Sequence, residues 1–261
     1  MTAPMSSPMS SPSSLAATEF GAPIGAYRGG AARIWVALAG VALLALAALF
    51  LVALPLSGDS SGDSSGLVSY LIAGAIWLAG AIYCFWTLVS WRGAHAQLFE
   101  RGFSITRAGK TITGRWDDVA SVTQKIFTIR KYGIPLWTSY LYTVTMTNGE
   151  TARVNNAFGQ ARKLGDVIQR MSANALLPRA IAAYQSGATL PFGKISLSQA
   201  GISNGRETVP WNMVNDPTFR NGNLIVTRKD RRLAWVSTPV AKTPNIYVLT
   251  ALVGYIRSGV R

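Results

Sequence analysis

Cationic and aromatic side chains form two groups whose residue types suit the binding of anions. Residues 125–138 carry cations beside aromatic rings around a Gly-Ile-Pro turn, and the candidate binding residues there are Arg130, Lys131 and Trp137. The densest cationic group caps a predicted hairpin further along the chain and contains Arg228, Lys229, Arg231 and Arg232. Cations beside tryptophan or tyrosine are typical of segments at the polar edge of a bilayer. Both groups are therefore candidates for contact with anionic headgroups or a partner.

Each group also has an ordinary structural alternative. Residues 125–138 are equally consistent with a long hairpin whose aromatic rings pack on the body of the domain. The second group is consistent with a solvated turn, because charged residues are common at hairpin tips.

Residues typical of catalysis are sparse in the chain. His95 is the only histidine and Cys84 the only cysteine, a composition that disfavours a Cys/His metal site. Asp117 and Asp118 are adjacent carboxylates, but neither a partner histidine nor a glycine-rich phosphate loop accompanies them. We therefore expect no enzymatic activity, no cofactor and no metal.

Two uncharged apolar runs occupy residues 34–56 and 67–91. Each is longer than the roughly 20 residues that a helix needs to cross a bilayer. Neither shows the polar face of a helix in a soluble protein. A cleaved signal peptide is the alternative for the first run, which exceeds the ~7–15 apolar residues of a typical signal. The sequence predicts a transmembrane helical hairpin joined by a short loop.

The charges that flank these runs predict their orientation. Arg28 and Arg33 precede the first run, acidic residues lie in the connecting loop, and arginines follow the second run at positions 92, 101 and 107. Lysine and arginine near span ends stay on the cytoplasmic side. We expect a multi-pass protein of the inner (cell) membrane with both termini in the cytoplasm. Neither run contains an ionisable residue, which argues against a transport path.

The positive charge of the chain belongs to the part that follows the apolar runs. The whole chain has a net charge of +14, whereas residues 92–261 contain 23 basic and 8 acidic residues, a net charge of +15. Anionic lipid headgroups are the nearest partner for such a segment at a membrane. A protein partner or a second copy of the chain is also expected. Nucleic acid is disfavoured, since the sequence contains no motif for it.

The remaining sequence predicts a tail and two similar domains. Residues 1–33 are rich in Ser, Pro, Ala and Gly and predict a disordered tail. Residues 92–187 and 188–261 share an order of short strands, a Trp-x-x-Val segment, further strands and a helix, with Trp116 matching Trp211. We expect helices over 160–171 and 175–185 in the first copy and after Pro244 in the second.

The Trp-x-x-Val segments, at 116–119 and 211–214, and the run 190–202 resemble bacterial pleckstrin-homology-like domains. They also resemble an uncharacterised bacterial membrane family with an N-terminal transmembrane helical pair and tandem domains of this kind. The resemblance implies a membrane-anchored α+β fold. Two transmembrane helices would precede two PH-like domains, each an antiparallel β-barrel or sandwich with a C-terminal capping helix.

The resemblance carries no catalytic residues, and it implies membrane-localised binding. We expect a non-enzymatic binding or scaffolding protein at the cytoplasmic leaflet. The alternatives are a homo-oligomeric structural membrane protein that binds only protein and a membrane-tethered binder of nucleic acid.

Overall fold

The first two helices form a pair, and their sequence alone accounts for their helical form. The computed structural model describes residues 19–30, 32–53, 64–132, 134–230 and 233–259. Helix α1 spans Ala32–Ala48 and continues as a π-helical segment, Leu49–Ala53; helix α2 spans Ser64–Ser90. Alanine and leucine, both strong helix formers, dominate α1. Both helices are long and apolar enough to cross a membrane. The predicted loop covers residues 57–66: residues 57–63 lie outside the described residues, and residues 64–66 already belong to α2, so the loop is shorter at that end than predicted.

Small residues bring the two helices together in antiparallel fashion. A Cβ atom added at Gly74 would overlap the Leu51 side chain, and one added at Gly40 would lie 3.2 Å from the Cβ of Cys84. Ala47 and Ala81 are buried in the same seam. The close approach therefore depends on residues of minimal size. Ala75 and Ala79 of α2, although small, are exposed and lie outside this seam.

A strand that precedes the helices belongs to the sheet that follows them. Strand β1 (Pro23–Arg28) pairs with β2 (His95–Phe99), and the register joins Arg28 to His95. Phe20 packs on Phe99, with ring centroids 6.0 Å apart. The predicted tail over residues 1–33 is therefore wrong for residues 19–30, whereas residues 1–18 lie outside the described part. The predicted boundary of the first domain at residue 92 likewise leaves out β1, which is the first strand of its sheet.

The rest of this sheet is formed by β3 (Gly102–Arg107) and β4 (Lys110–Arg115), in the order β1-β2-β3-β4. A turn at Glu100–Arg101 separates β2 from β3. A 3₁₀ turn, Trp116–Asp118, follows β4. The Trp116 ring is buried against Phe103, and its Nε1 donates to the Phe99 carbonyl at 3.0 Å.

A second sheet of three strands and a long helix complete the first unit. The strands are β5 (Val119–Lys131), β6 (Ile134–Met146) and β7 (Thr151–Asn155), in that order. Helix α3 spans Ala161–Gln185 without a break at Pro178, so the two predicted helices are one. Leu164 and Ile168 of α3 lie in the core between the two sheets.

The second unit repeats this order of elements. A four-stranded sheet contains β8 (Leu190–Phe192), β9 (Ile195–Ser198), β10 (Gly201–Ser203) and β11 (Thr208–Val209). A 3₁₀ turn, Trp211–Met213, leads to three strands: β12 (Thr218–Arg220), β13 (Asn223–Thr227) and β14 (Ala234–Pro239). A short 3₁₀ turn, Val240–Lys242, precedes helix α4 (Ile246–Gly259), whose apolar stripe closes a second core.

The two units meet at the end of the first unit that lies away from the helical pair. Asn245 binds the exposed edge of β5: its Oδ1 accepts from the amide of Val122 at 2.8 Å and its Nδ2 donates to the carbonyl of Ala120 at 3.1 Å. Leu176 of α3 packs against both cores. The described part of the chain is thus an α+β protein with two cores joined by a shared helix.

Candidate anion-binding site at the end of the helical pair

The turn between β3 and β4 presents two cations side by side. Ala108 and Gly109 have φ angles of 50° and 78°, so the connection is a two-residue turn with both central residues in the left-handed region. This turn pairs Arg107 directly with Lys110. Directly opposite residues of an antiparallel pair lie about 5 Å apart at Cβ and project on one face of the sheet.

The same turn lies where the helices leave the first unit. Arg28 at the end of β1 pairs with His95, and His95 pairs with Thr106. The turn after β3 therefore lies at the same end of the sheet as Arg28 and His95. Helix α1 begins four residues after Arg28, and α2 ends five residues before His95. We call this side of the first unit the helix-pair end.

A cavity of about 400 Å³ opens at the helix-pair end beside the turn. Ser90 at the last position of α2 lines one side, and Arg153 of β7 lines another. The Ser90 hydroxyl itself donates to the carbonyl of Trp86 at 2.8 Å. The other lining residues come from β3, β4, β7 and the turn, and they are Ile105, Arg107, Ala108, Lys110, Ile112, Thr151 and Ala152.

Three cations therefore surround a space with few compensating charges. Lys110 has a carboxylate neighbour, with its Nζ 3.9 Å from Glu150 Oε1, and both side chains are largely exposed. Among the described residues, no carboxylate forms an ion pair with Arg107 or Arg153. Burial lowers the pKa of the Arg107 guanidinium, and the charge of Arg153 lowers it further.

This arrangement suits a bound anion. Arginine remains protonated in proteins, so Arg107 and Arg153 repel each other across the cavity. An anion between them would relieve that repulsion and accept charge-assisted hydrogen bonds from planar guanidinium groups, which match phosphate and carboxylate in shape. Within the described residues no group of three or more His, Cys, Asp or Glu side chains is arranged to hold a metal ion.

The first predicted group lies on the β5–β6 hairpin. Lys131 is exposed at the end of β5, with its Nζ 5.8 Å above the centroid of the Tyr132 ring. Trp137 is 49% exposed on β6, and Phe127 and Tyr132 are more exposed still. The aromatic rings therefore do not pack on the core, contrary to the packed-hairpin alternative. The side chain of Arg130 lies outside the described residues.

The second predicted group lies in the second unit, and its first member is already neutralised. Arg228 donates from Nη1 to Glu207 at 2.6 Å and from Nη2 to Asp230 at 2.8 Å. The hydrogen bond to Asp230 is the main cause that raises the pKa of Arg228, and both carboxylates add to it. Lys229 is exposed, whereas Arg231 and Arg232 lie outside the described residues. The two predicted groups lie on different sheets and around different cores.

The cavity at the helix-pair end was not predicted from the sequence, although part of its signal was present. Arg107 and Lys110 flank an Ala-Gly pair, and a glycine between two strand-like segments is typical of a hairpin turn, so two cations at one tip could be inferred from the sequence. Arg153 is 43 residues further along the chain from Lys110. Arg153 reaches the cavity because β7 packs against the first sheet, and the sequence carries no signal for that packing.

The chain belongs to a family of unknown function, DUF6585, whose model matches residues 5–261. This confirms the expectation of an uncharacterised family, and a bacterial source remains a prediction. No curated protein and no solved structure is significantly similar to the chain.

Proposed function

We propose that this chain is a membrane-anchored binding protein that holds the phosphate of an anionic lipid headgroup in the cavity at the helix-pair end. In this proposal α1 and α2 span the cell membrane. The two β-units lie on the cytoplasmic side, where they act as a binding or scaffolding module without enzymatic activity.

The exposure of the helical pair supports membrane insertion. Only 11% of the residues in the apolar window of each helix are buried, whereas the core helix of a soluble protein would be mostly buried. Trp35 and Trp86 are more than 70% exposed on the outer faces of the pair. Leaving so much apolar surface in water costs about 25 cal/mol per Å², and a bilayer removes that cost.

The observation that carries the headgroup site is the pair Arg107 and Arg153 beside the end of α2. If α2 spans the bilayer, its last residue, Ser90, lies at the polar edge, and the cavity that Ser90 lines opens into the headgroup region. Anionic lipids concentrate on the cytoplasmic leaflet, and juxtamembrane cations gain about 1 kcal/mol each from it. Arg107 and Arg153 lack ion-pair partners among the described residues, and the cavity lies at the level of the headgroups. Both features favour an anionic lipid headgroup as the ligand.

The repeated order of elements supports the PH-like interpretation of each unit. Each has a four-stranded sheet, a tryptophan-containing turn, a three-stranded sheet and a C-terminal helix. Pleckstrin-homology-like domains combine short antiparallel strands with such a capping helix. The second unit packs against the far end of the first, so we assign the lipid site to the first unit alone.

The proposal is tested with the full-length protein in neutral detergent, to which phosphatidylglycerol or phosphatidylcholine is added. Native mass spectrometry counts the lipids that stay bound. We expect selective retention of phosphatidylglycerol and an affinity about thirtyfold lower in the double variant Arg107→Gln, Arg153→Gln, because two contributions of about 1 kcal/mol are lost. Inorganic phosphate in a parallel titration distinguishes a free anion from a lipid as the ligand.

The matched control is Arg101→Gln, Arg220→Gln, which removes the same charge from exposed arginines away from the cavity. It should bind phosphatidylglycerol as the wild type does. Equal loss in both double variants, or equal retention of both lipids by the wild type, would contradict the proposal. The orientation is checked on a Cys84→Ala background: a cysteine at Ser258 should react with an impermeant maleimide only after cells are permeabilised.

A further inference from the structure

The β5–β6 hairpin extends well beyond the sheet to which it belongs. Strand β7 pairs only with Leu141–Thr145 of β6, whereas β5 and β6 stay paired as far as Lys131 and Ile134. The segment from Ile134 to Tyr140 therefore projects past β7 as a two-stranded ribbon. At about 3.3 Å per residue it protrudes by roughly 20 Å.

Both faces of this ribbon expose apolar side chains. Side chains alternate between faces along a strand, so Ile126 and Phe127 point to opposite sides, and each is more than half exposed. Ile134, at 65%, and Leu136, at 62%, are two further exposed apolar side chains on β6. An isolated two-stranded ribbon is marginal in water, and an exposed apolar one is prone to association. The ribbon therefore has the composition of a surface that is covered in the working protein.

The charge of the ribbon limits what covers it. Between Asp118 and Glu150 the sequence contains no acidic residue, whereas it contains Lys125, Arg130 and Lys131. Aromatic and aliphatic side chains mixed with cations match the region between the headgroups and the acyl chains of an anionic bilayer.

The position of the ribbon at the helix-pair end also favours contact with the bilayer. The start of β7 lines the cavity beside Ser90 of α2, and after β7 Phe158 forms an antiparallel bridge with Gly29, just before α1. Strand β7 therefore runs along the helix-pair end from one helix to the other. Strand β6 lies beside β7, so the ribbon continues past the start of α1 on that side.

The turn after β7 links the base of the ribbon to the segment that leads into α1, because the amide of Gly30 donates to the carbonyl of Ala157 at 3.0 Å. The amide of Tyr140 donates to Oδ1 of Asn156 at 2.8 Å, and Nδ2 of Asn156 donates to the carbonyl of Thr138 at 3.0 Å. Trp137 and Gly30 line a common cavity of about 360 Å³. Gly30 lies two residues before the first residue of α1, so the ribbon leaves the unit at the level where that helix begins.

We propose that the tip of the β5–β6 hairpin, residues 126–137, lies in the headgroup region of the bilayer as a third membrane contact beside the two helices. The inference rests on the membrane anchoring in the proposed function, but it does not depend on the cavity lined by Arg107 and Arg153. It gives Lys131 and Trp137 a common role: the ring sits among the headgroups, and the ammonium group pairs with their phosphates.

The test uses the full-length protein on a Cys84→Ala background in nanodiscs of phosphatidylglycerol and phosphatidylcholine. A nitroxide is attached to Ile134→Cys or, on the other face of the ribbon, to Ile126→Cys. Collision rates with oxygen and with a water-soluble nickel complex report depth. We expect nickel collisions several-fold rarer at both positions than at Leu233→Cys, a site in the second unit that is 82% exposed.

A label at Tyr83→Cys, which is exposed on α2, separates the two proposals. If it too is reached freely by nickel, membrane anchoring itself is wrong. If it is shielded while the labels at 126 and 134 are as accessible as that at 233, only the hairpin inference is overturned. A short distance between two Ile134 labels on different copies, measured by pulsed dipolar spectroscopy, would identify a second chain as the covering surface and would also overturn it.

Discussion

At the scale of single residues, matched tryptophans perform the same task in the two units. Trp116 donates to the carbonyl of Phe99 at the end of β2, and Trp211 donates to the carbonyl of Ser198 at the end of β9. In each unit the ring follows the four-stranded sheet and binds the end of its second strand. The sequence spacing predicted that both rings pack, because the Trp-x-x-Val pattern occurs twice. The carbonyl partners were beyond prediction, since they depend on the turn that separates β2 from β3.

The hydroxyl group of Tyr142 makes the burial of this side chain less favourable. Its ring is fully buried in the first core, and its hydroxyl has no hydrogen-bond partner among the described residues. A buried polar group without a partner costs about 1–3 kcal/mol. We expect Tyr142→Phe to stabilise the protein and to raise its melting temperature by about 2–4 °C for a contribution of about 1 kcal/mol. Tryptophan fluorescence of the full-length protein in detergent measures this shift.

The same residue predicts a pH dependence. Burial is the main cause that raises the pKa of Tyr142 above its ordinary value of 10.0. A raised pKa means that the fold favours the neutral phenol, so this contribution is complete below pH 10 and is lost as the pH rises above it. The melting temperature of the wild type should therefore fall more steeply above pH 10 than that of Tyr142→Phe. Tyr132→Phe serves as the control, because the side chain of Tyr132 is 93% exposed. If the melting temperatures of all three proteins fall equally with pH above 10, the argument is refuted.

At the scale of elements, the main departure from the sequence prediction is β1. Its residues, Pro23–Arg28, resemble the preceding tail in composition and include only two large apolar side chains. A strand at the edge of a sheet needs little apolar surface, and its partner here is 67 residues away, across both helices, in the register of Arg28 with His95. Antiparallel helices return the chain to its starting point, which is why the flanking strands can pair. The length and apolarity of the two runs predicted the helices. The pairing of β1 with β2 depends on the three-dimensional arrangement of the helices and has no local signal in the sequence.

The pairing of β1 predicts how the soluble part folds when the helices are removed. In a chain that joins residues 19–30 to 92–261 through a short Gly/Ser linker, the linker needs to span little more than the spacing of adjacent strands, about 4.8 Å. We expect this protein to be soluble and to unfold cooperatively. Residues 92–261 alone expose the edge of β2 and lose the contact of Phe20 with Phe99. Calorimetry should show a lower melting temperature for that fragment.

The control for this comparison replaces residues 19–30 with a Gly/Ser segment of equal length. It separates the effect of strand pairing from that of chain length, and it should melt with the shorter fragment. If all three proteins melt at the same temperature, β1 contributes nothing to the stability of the first unit.

At the scale of the whole molecule, the two units depend on each other through shared elements. Helix α3 places Leu164 in the first core and, beyond Pro178, packs Ile181 against the second. The sequence predicted two helices here because proline lacks the amide of a regular helix. Contacts on both sides of the proline outweigh that loss. The repeat in the sequence predicted two units in tandem. It could not predict that the second covers the open edge of β5, because the repeat carries no signal for contacts between its copies.

Asn245 makes this contact between units measurable. It adopts a left-handed φ of 52°, which asparagine tolerates, and its amide donates to the carbonyl of Val122 at 2.8 Å while its side chain makes two further hydrogen bonds to β5. Asn245→Gly keeps the backbone conformation accessible and removes both side-chain bonds, a loss of about 2 kcal/mol in total. We expect faster hydrogen exchange along the edge of β5 and a lower melting temperature. The matched control is Asn221→Gly, at an exposed turn with the same φ of 52°, where the change should stay within about 0.5 kcal/mol. If the two variants exchange and melt alike, the side chain of Asn245 does not stabilise the contact between the units, and other contacts hold the edge of β5.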